Sequence, residues 1–141
     1  MLYLASDHAG FELKEKVAQF LRKEKIEFED LGTNSKDSVD YPVYAKKMAQ
    51  NMIEKDDRGI LICGSGIGMS IAINRFSHIR GALCYDTTAV ELSRKHNNSN
   101  VLILAGRRRK TNLFYKRMIN AFFKTEFEKG RHLKRVEQLS N

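Results

Sequence analysis

Cysteine and proline are scarce in this chain of 141 residues, and long apolar runs are missing. Two cysteines cannot build a disulfide framework, and neither is spaced with histidine as in a zinc site, so both are expected to be free thiols. No apolar stretch approaches the roughly 20 residues that span a bilayer. The opening Met1-Leu2-Tyr3-Leu4-Ala5-Ser6-Asp7 has neither the basic flank nor the cleavage site of a secretory signal. A cytoplasmic protein with no membrane partner is therefore expected. Repeats, low-complexity segments and long linkers are also absent, which leaves a single domain over residues 1–141, long enough to bury a real core.

Positive charge is in excess, at +8 from 25 Lys and Arg against 17 Asp and Glu. Charge alone does not choose among anionic metabolites, nucleic acid and membrane surfaces. Its distribution says more. Much of the excess lies in Gly106-Arg107-Arg108-Arg109-Lys110 and in Lys129-Gly130-Arg131-His132-Leu133-Lys134-Arg135, while the first half is nearly balanced.

Five short apolar segments, Leu2 to Ala5, Ile26 to Leu31, Ile60 to Cys63, Gly81 to Tyr85 and Val101 to Ala105, alternate with helical patterns. That order predicts an α/β fold, a three-layer α/β/α sandwich around a five-stranded parallel, Rossmann-like sheet. Ile26-Glu27-Phe28-Glu29 alternates apolar with charged residues and is expected at a sheet edge, whereas the other four strands read as buried. Helical faces are carried by Leu13, Val17, Phe20 and Leu21, by Tyr44, Ala45, Met48, Ala49 and Met52, and by Phe114, Met118, Ala121 and Phe122. Pro42 suits a first helical turn, and Thr88-Ala89-Val90-Glu91 has capping-box spacing for a helix to about His96. The run Arg107 to Lys110 is expected to begin a helix, where cations are unfavourable unless an anion sits nearby.

Ligands of such sheets bind beyond the carboxyl ends of the strands. That rim is predicted to gather Ser6-Asp7-His8, Gly32-Thr33, Cys63 to Gly68, Asp86-Thr87 and Gly106-Arg107. Cys63-Gly64-Ser65-Gly66-Ile67-Gly68 is the most pointed of these, because its glycines let backbone amides approach an anion. A dinucleotide fingerprint from Gly64 would need glycine where Met69 stands, and the Gly-Lys-Ser/Thr of a Walker loop is absent. The loop therefore fits a phosphate, carboxylate or enolate better than a whole dinucleotide; a plain tight turn is the alternative.

Other candidates also have two readings. Cys63 is either a small buried hydrophobe or a thiol activated by the helix start and nearby cations. Cys84 reads as core. Asp7-His8 is a helix cap or a functional pair, and His96 is a proton donor or a favourable helix terminus. Arg131 and Arg135, four apart, form a phosphate fork or a solvated face. His78 and His132 receive no role.

Taken together, Ser6-Asp7-His8-Ala9-Gly10, Val39-Asp40-Tyr41-Pro42, Cys63 to Gly68, Arg94-Lys95-His96-Asn97-Asn98, Gly106-Arg107 and Gly130 to Arg135 resemble the type B ribose-5-phosphate isomerases. That family also includes galactose-6-phosphate isomerase subunits. The resemblance implies interconversion of ribose 5-phosphate and ribulose 5-phosphate through an enediolate, in the non-oxidative pentose phosphate pathway, with neither metal nor organic cofactor. It implies Cys63 as the base, Ser65 as a shuttle for hydroxyl protons, and amides of Gly64, Gly66 and Gly68, with Asn97, as the anion hole. His96 would open the sugar ring with Asp7 nearby, His8, Arg107, Arg131 and Arg135 would hold phosphate, and Tyr41 would line the sugar site. Met69 stands where one branch of the family has a glutamate base, which places the chain in the cysteine branch. The resemblance further implies a homodimer, with tetramers left open, and a C-terminal helix near 129–139 that serves a partner's site. Allose or galactose 6-phosphate is the alternative substrate, and a non-catalytic phosphosugar or nucleic-acid binder the alternative class. RNA binding is disfavoured because Phe114, Phe122 and Phe123 read as core rather than as stacking platforms.

Overall fold

The structure, a computed structural model, describes residues 1–140. Five strands, β1 (Leu2–Ser6), β2 (Glu29–Asp30), β3 (Arg58–Cys63), β4 (Gly81–Leu83) and β5 (Val101–Ala105), pair in parallel in the order β2-β1-β3-β5-β4. Six helices cover them: α1 (Phe11–Lys23), α2 (Tyr41–Asn51), α3 (Ile67–Ile73), α4 (Thr87–Asn97), α5 (Asn112–Lys124) and α6 (Gly130–Gln138). No helix among the described residues is long and apolar enough to cross a membrane.

Strand alternation splits the interior into two cores. Leu2, Leu4, Ile60, Ile62, Leu102 and Leu104 face α1 and α5, where Val17, Leu21, Met118 and Phe122 meet them. Tyr3, Ala5, Leu61, Cys63, Val101 and Ile103 face α2 and α3 through Ala45, Met48, Met69 and Ile73. The expected α/β/α sandwich is thus present. Every strand ends on the same upper rim, and the helices return the chain to a lower rim beneath it.

Four local expectations are corrected. The edge strand is only Glu29–Asp30, because Ile26 and Phe28 turn into the α1 core before the backbone pairs with Tyr3 and Leu4. β4 ends at Leu83 and is half-buried rather than buried, since it forms the opposite edge and has a neighbour on one side only. The cap of α4 is Asp86, whose carboxylate accepts from the Ala89 amide at 2.8 Å, so the helix begins one residue before Thr88. Arg107 to Lys110 do not begin an α-helix. Gly106–Arg108 form one tight turn, Arg109 takes a left-handed φ of 48°, and Thr111 then caps α5 by accepting from the Phe114 amide.

One buried charge ties the edge strand to its helix. Lys14 is 0% exposed, yet its ammonium reaches Asp30 on β2, whose other oxygen accepts from the Gly32 amide at 2.9 Å. A buried ammonium is tolerable only when so paired. Lys14→Ala should therefore lower unfolding free energy by about 3 kcal/mol, because it leaves a cavity and an unpaired carboxylate. An unchanged urea midpoint would refute that role for the pair.

Cys84 lies in the core one residue past β4, and burial pushes its thiol up to about 11. A thiol with a raised pKa stays protonated, hence unreactive, at pH values well below it. In native protein treated with iodoacetamide at pH 8, peptide mapping should find Cys84 unmodified, and it should react only after unfolding.

Candidate active site

The upper rim is organised around the end of β3. Cys63 faces the α2 and α3 core with its sulfur accepting from the Gly66 amide at 3.1 Å. That contact closes the loop, and it needs Gly66 at φ 79°, a left-handed conformation in which side chains are strained. The flanking glycines make room for two named neighbours. The Arg107 guanidinium lies along Gly64, where an added Cβ would sit 2.9 Å from its Nε, and the Tyr41 ring lies over Gly68 at 2.8 Å by the same measure. Arg107 is also fixed through its backbone, since its amide donates to the Gly64 carbonyl at 3.0 Å. Ser65 is exposed on the crest, its hydroxyl accepting from the Ile67 amide at 3.1 Å.

Asp7 and His8 leave β1 beside this loop. The Asp7 amide donates to the Ile62 carbonyl, and its Oδ1 accepts from the Gly10 amide at 3.0 Å. Asp7 therefore does cap a turn, but one oxygen suffices for that and Oδ2 has no hydrogen bond among the described residues. The Val39 amide donates to His8 Nδ1 at 3.1 Å, so the neutral ring carries its proton on Nε2. Asp7, His8, Tyr41, Cys63, Ser65, the glycine amides and Arg107 thus share one rim, as the topology predicts.

His96, Asn97, Arg131 and Arg135 do not. α4 ends at Asn97 and delivers the chain to Val101 at the start of β5, whereas Cys63 pairs with Ala105 at its end. Four strand steps, about 13 Å, separate those levels. On the lower rim these residues line a cleft of about 440 Å³ between α4 and α6. Asn97 is therefore far from the loop amides of its own chain, and His96 far from its own Asp7.

His132 is the residue that sequence reasoning missed. Its ring stacks on His96 with centroids 4.3 Å apart and planes 13° from parallel. Burial lowers its pKa, and the nearby charges of His96 and Arg131 lower it further, so the ring is neutral at pH 7. Its spacing four residues before the buried Val136 was the available signal, marking both as the inner face of α6. With Glu128, the two histidines place ligating atoms within 4.8 Å of one another. Parallel rings, however, aim their in-plane lone pairs side by side instead of at a common point, which suits stacking better than a tetrahedral metal site.

Two further cations of the basic run lie over aromatic rings. Arg108 lies over Tyr85 at 4.5 Å and Lys110 over Phe114 at 5.7 Å.

Comparison with known proteins matches both rims at once. The solved structure of a ribose 5-phosphate isomerase from Thermotoga maritima superposes with a TM-score of 0.94 at 47% identity, covering 99% of this chain and 96% of that one. Ribose-5-phosphate isomerase B of Escherichia coli is 40% identical over 135 residues, 95% of this chain and 90% of its own length. Ribose-5-phosphate isomerase B of Mycoplasma genitalium, solved with bound ribulose-5-phosphate, is 34% identical with a TM-score of 0.86, covering 99% and 93%. The family model described as Ribose/Galactose Isomerase spans residues 2–139, from the first strand to beyond the last helix. With the upper-rim loop and the lower-rim cleft both inside that span, the chain belongs to the ribose/galactose isomerase family.

Proposed function

We infer that this chain is an aldose–ketose isomerase that interconverts ribose 5-phosphate and ribulose 5-phosphate. The observation that carries the reading is a thiol at the end of β3 whose sulfur accepts from the Gly66 amide of the glycine loop. Relatives of the same name across nearly the full chain support it, as does the ribulose-5-phosphate held by the Mycoplasma genitalium protein.

In the open-chain aldose, Cys63 takes the proton from C2 while the carbonyl oxygen at C1 develops negative charge. Loop amides from Gly64 to Gly68 stabilise that oxyanion, which is what makes the carbon acidic enough to lose its proton. Ser65 passes the hydroxyl proton from O2 to O1, and Cys63 returns its proton to C1. The hydrogen moves between adjacent carbons and the substrate is left neither oxidised nor reduced, so the step balances without a redox partner. His96 donates to the ring oxygen during opening, with Asp7 accepting the hydroxyl proton at C1. His8 and Arg107 bind the phosphate together with Arg131 and Arg135, and Tyr41 flanks the sugar.

These roles require two copies, because the lower-rim groups of one chain are remote from its own Cys63. A homodimer that seats the α4–α6 cleft of one copy over the glycine loop of the other would complete both sites. α3 supports this arrangement, since Ile67 and Ile71 beside the loop are 52% and 59% exposed, an apolar stripe next to the proposed chemistry.

Cys63→Ala should lower kcat by about a hundred- to ten-thousand-fold, the range for a positioned base, while substrate binding persists. Near-normal turnover would remove Cys63 as the base. Mixing Cys63→Ala chains with Arg131→Ala/Arg135→Ala chains tests the shared site. At low substrate, random pairing should restore about a quarter of wild-type activity, because each mixed dimer contains one intact site. No recovery, in a mixture shown by mass spectrometry to have exchanged chains, would place the whole site within one chain.

A further inference from the structure

Three arginines lie outside both proposed half-sites. Arg58 opens β3, Arg80 immediately precedes β4, and Arg94 sits on the inner side of α4. They line one cleft of about 560 Å³ between the lower rim and the end of α6, whose Val136 and Glu137 form the facing wall. No carboxylate is ion-paired to any of them among the described residues.

Among the described residues, cations outnumber carboxylates free of an ion pair in this cleft. Arg94 is 5% exposed, and the charges acting on it are those of Arg58 and Arg80, both of its own sign. Burial, reinforced by that repulsion, brings its guanidinium down to about 10, so it remains charged at neutral pH. Carboxylates in the cleft do not redress the balance. Asp57 is held by the N-terminal ammonium at 2.9 Å, which leaves Asp56 and Glu137 against Lys55 and the three arginines.

The guanidinium groups are also held in place. Arg58 donates to the Phe122 carbonyl at 2.7 Å; Arg94 donates through Nε to the Thr125 carbonyl at 3.2 Å and through Nη1 to Asn98 Oδ1 and the Ser99 carbonyl, which leaves Nη2; both arginines lie over the Phe122 ring, at 5.4 and 5.9 Å. Arg80 donates through Nε to the Asn98 carbonyl at 2.9 Å, leaving its terminal nitrogens without a partner among the described residues. A free, oriented guanidinium fork matches the spacing of phosphate oxygens, and groups already immobilised lose little entropy on binding.

We propose that the Arg58–Arg80–Arg94 cleft binds a phosphate dianion at a site separate from the one that takes the sugar phosphate. Occupancy links the start of β3, the residue before β4 and α4, the three places from which the guanidinium groups come. The inference stands on this cleft alone and survives or fails independently of the isomerase reading.

The test uses full-length protein carrying Arg131→Ala and Arg135→Ala, so that two phosphate ligands of the proposed substrate site are absent. Thermal unfolding is measured in about 20 mM inorganic phosphate and in sodium chloride of equal ionic strength and pH, where a binding site should raise Tm by about 3 °C. The rise should vanish when Arg80→Gln or Arg58→Gln is added. Arg58 lies at the strand start and is partly exposed, so Arg58→Gln decides the matter if the Arg80 variant folds poorly. A rise missing before either arginine is altered overturns the proposal. So does a rise that survives their substitution.

Discussion

Parallel pairing is the constraint on which the rest depends. Because all five strands run the same way, every strand must release the chain at the upper rim, and every crossover must bring it back to the lower one. Loops after β1, β3 and β5 therefore meet, which is how Asp7, Cys63 and Arg107 become neighbours although far apart in sequence. The same rule sends His96 and Asn97, at the end of a crossover helix, to the other end of the molecule. Within this chain the two sets stay at opposite rims, and the proposed homodimer would bring them together.

Charge follows the same geography. The upper rim carries few cations besides Arg107, and Arg108 and Lys110 are laid against aromatic rings. The lower rim carries Arg131 and Arg135 on α6 and, deeper, Arg58, Arg80 and Arg94. The surplus of basic residues is thus concentrated where the chain can present it to anions, and part of it is buried with no ion-paired carboxylate among the described residues. Such burial is costly unless backbone carbonyls and an aromatic face share the charge, and the Phe122 ring with the carbonyls of Phe122, Phe123 and Thr125 does so here.

Strand order along the chain, helical faces and the upper-rim cluster were legible in the sequence, because burial periodicity and parallel topology are both written locally. Edge effects were not. Ile26 and Phe28 look like strand residues, yet they belong to the α1 core, since a segment with only one neighbouring strand gains more by covering a helix than by extending a ladder. The cationic run misled for a related reason: its helix start depended on which residue could cap, and Thr111 does so while Arg109 closes the preceding turn. Spacing to Val136 could mark His132 as an inner-face residue of α6, but its stack with His96 is a contact between helices that no spacing within one helix encodes. The arginine cleft escaped notice likewise, as its members come from three separate elements.

Solvent links the quaternary arrangement to the chemistry. Backbone amides facing a developing oxyanion are strongest where water is excluded, since the same dipoles are screened in a high dielectric. In a single chain Cys63 is buried, but Ser65 and the α3 stripe beside it are open to water. Laying a second copy over Ile67 and Ile71 would bring in His96, Arg131 and Arg135, the residues proposed for ring opening and phosphate binding, and would also dry the loop. Burial of that stripe and strengthening of the oxyanion hole are then one event. On the proposed dimer, a small domain that carries both the thiol and its amide cradle would still depend on assembly: its own fold supplies the geometry, and a partner would supply the low dielectric in which that geometry becomes effective.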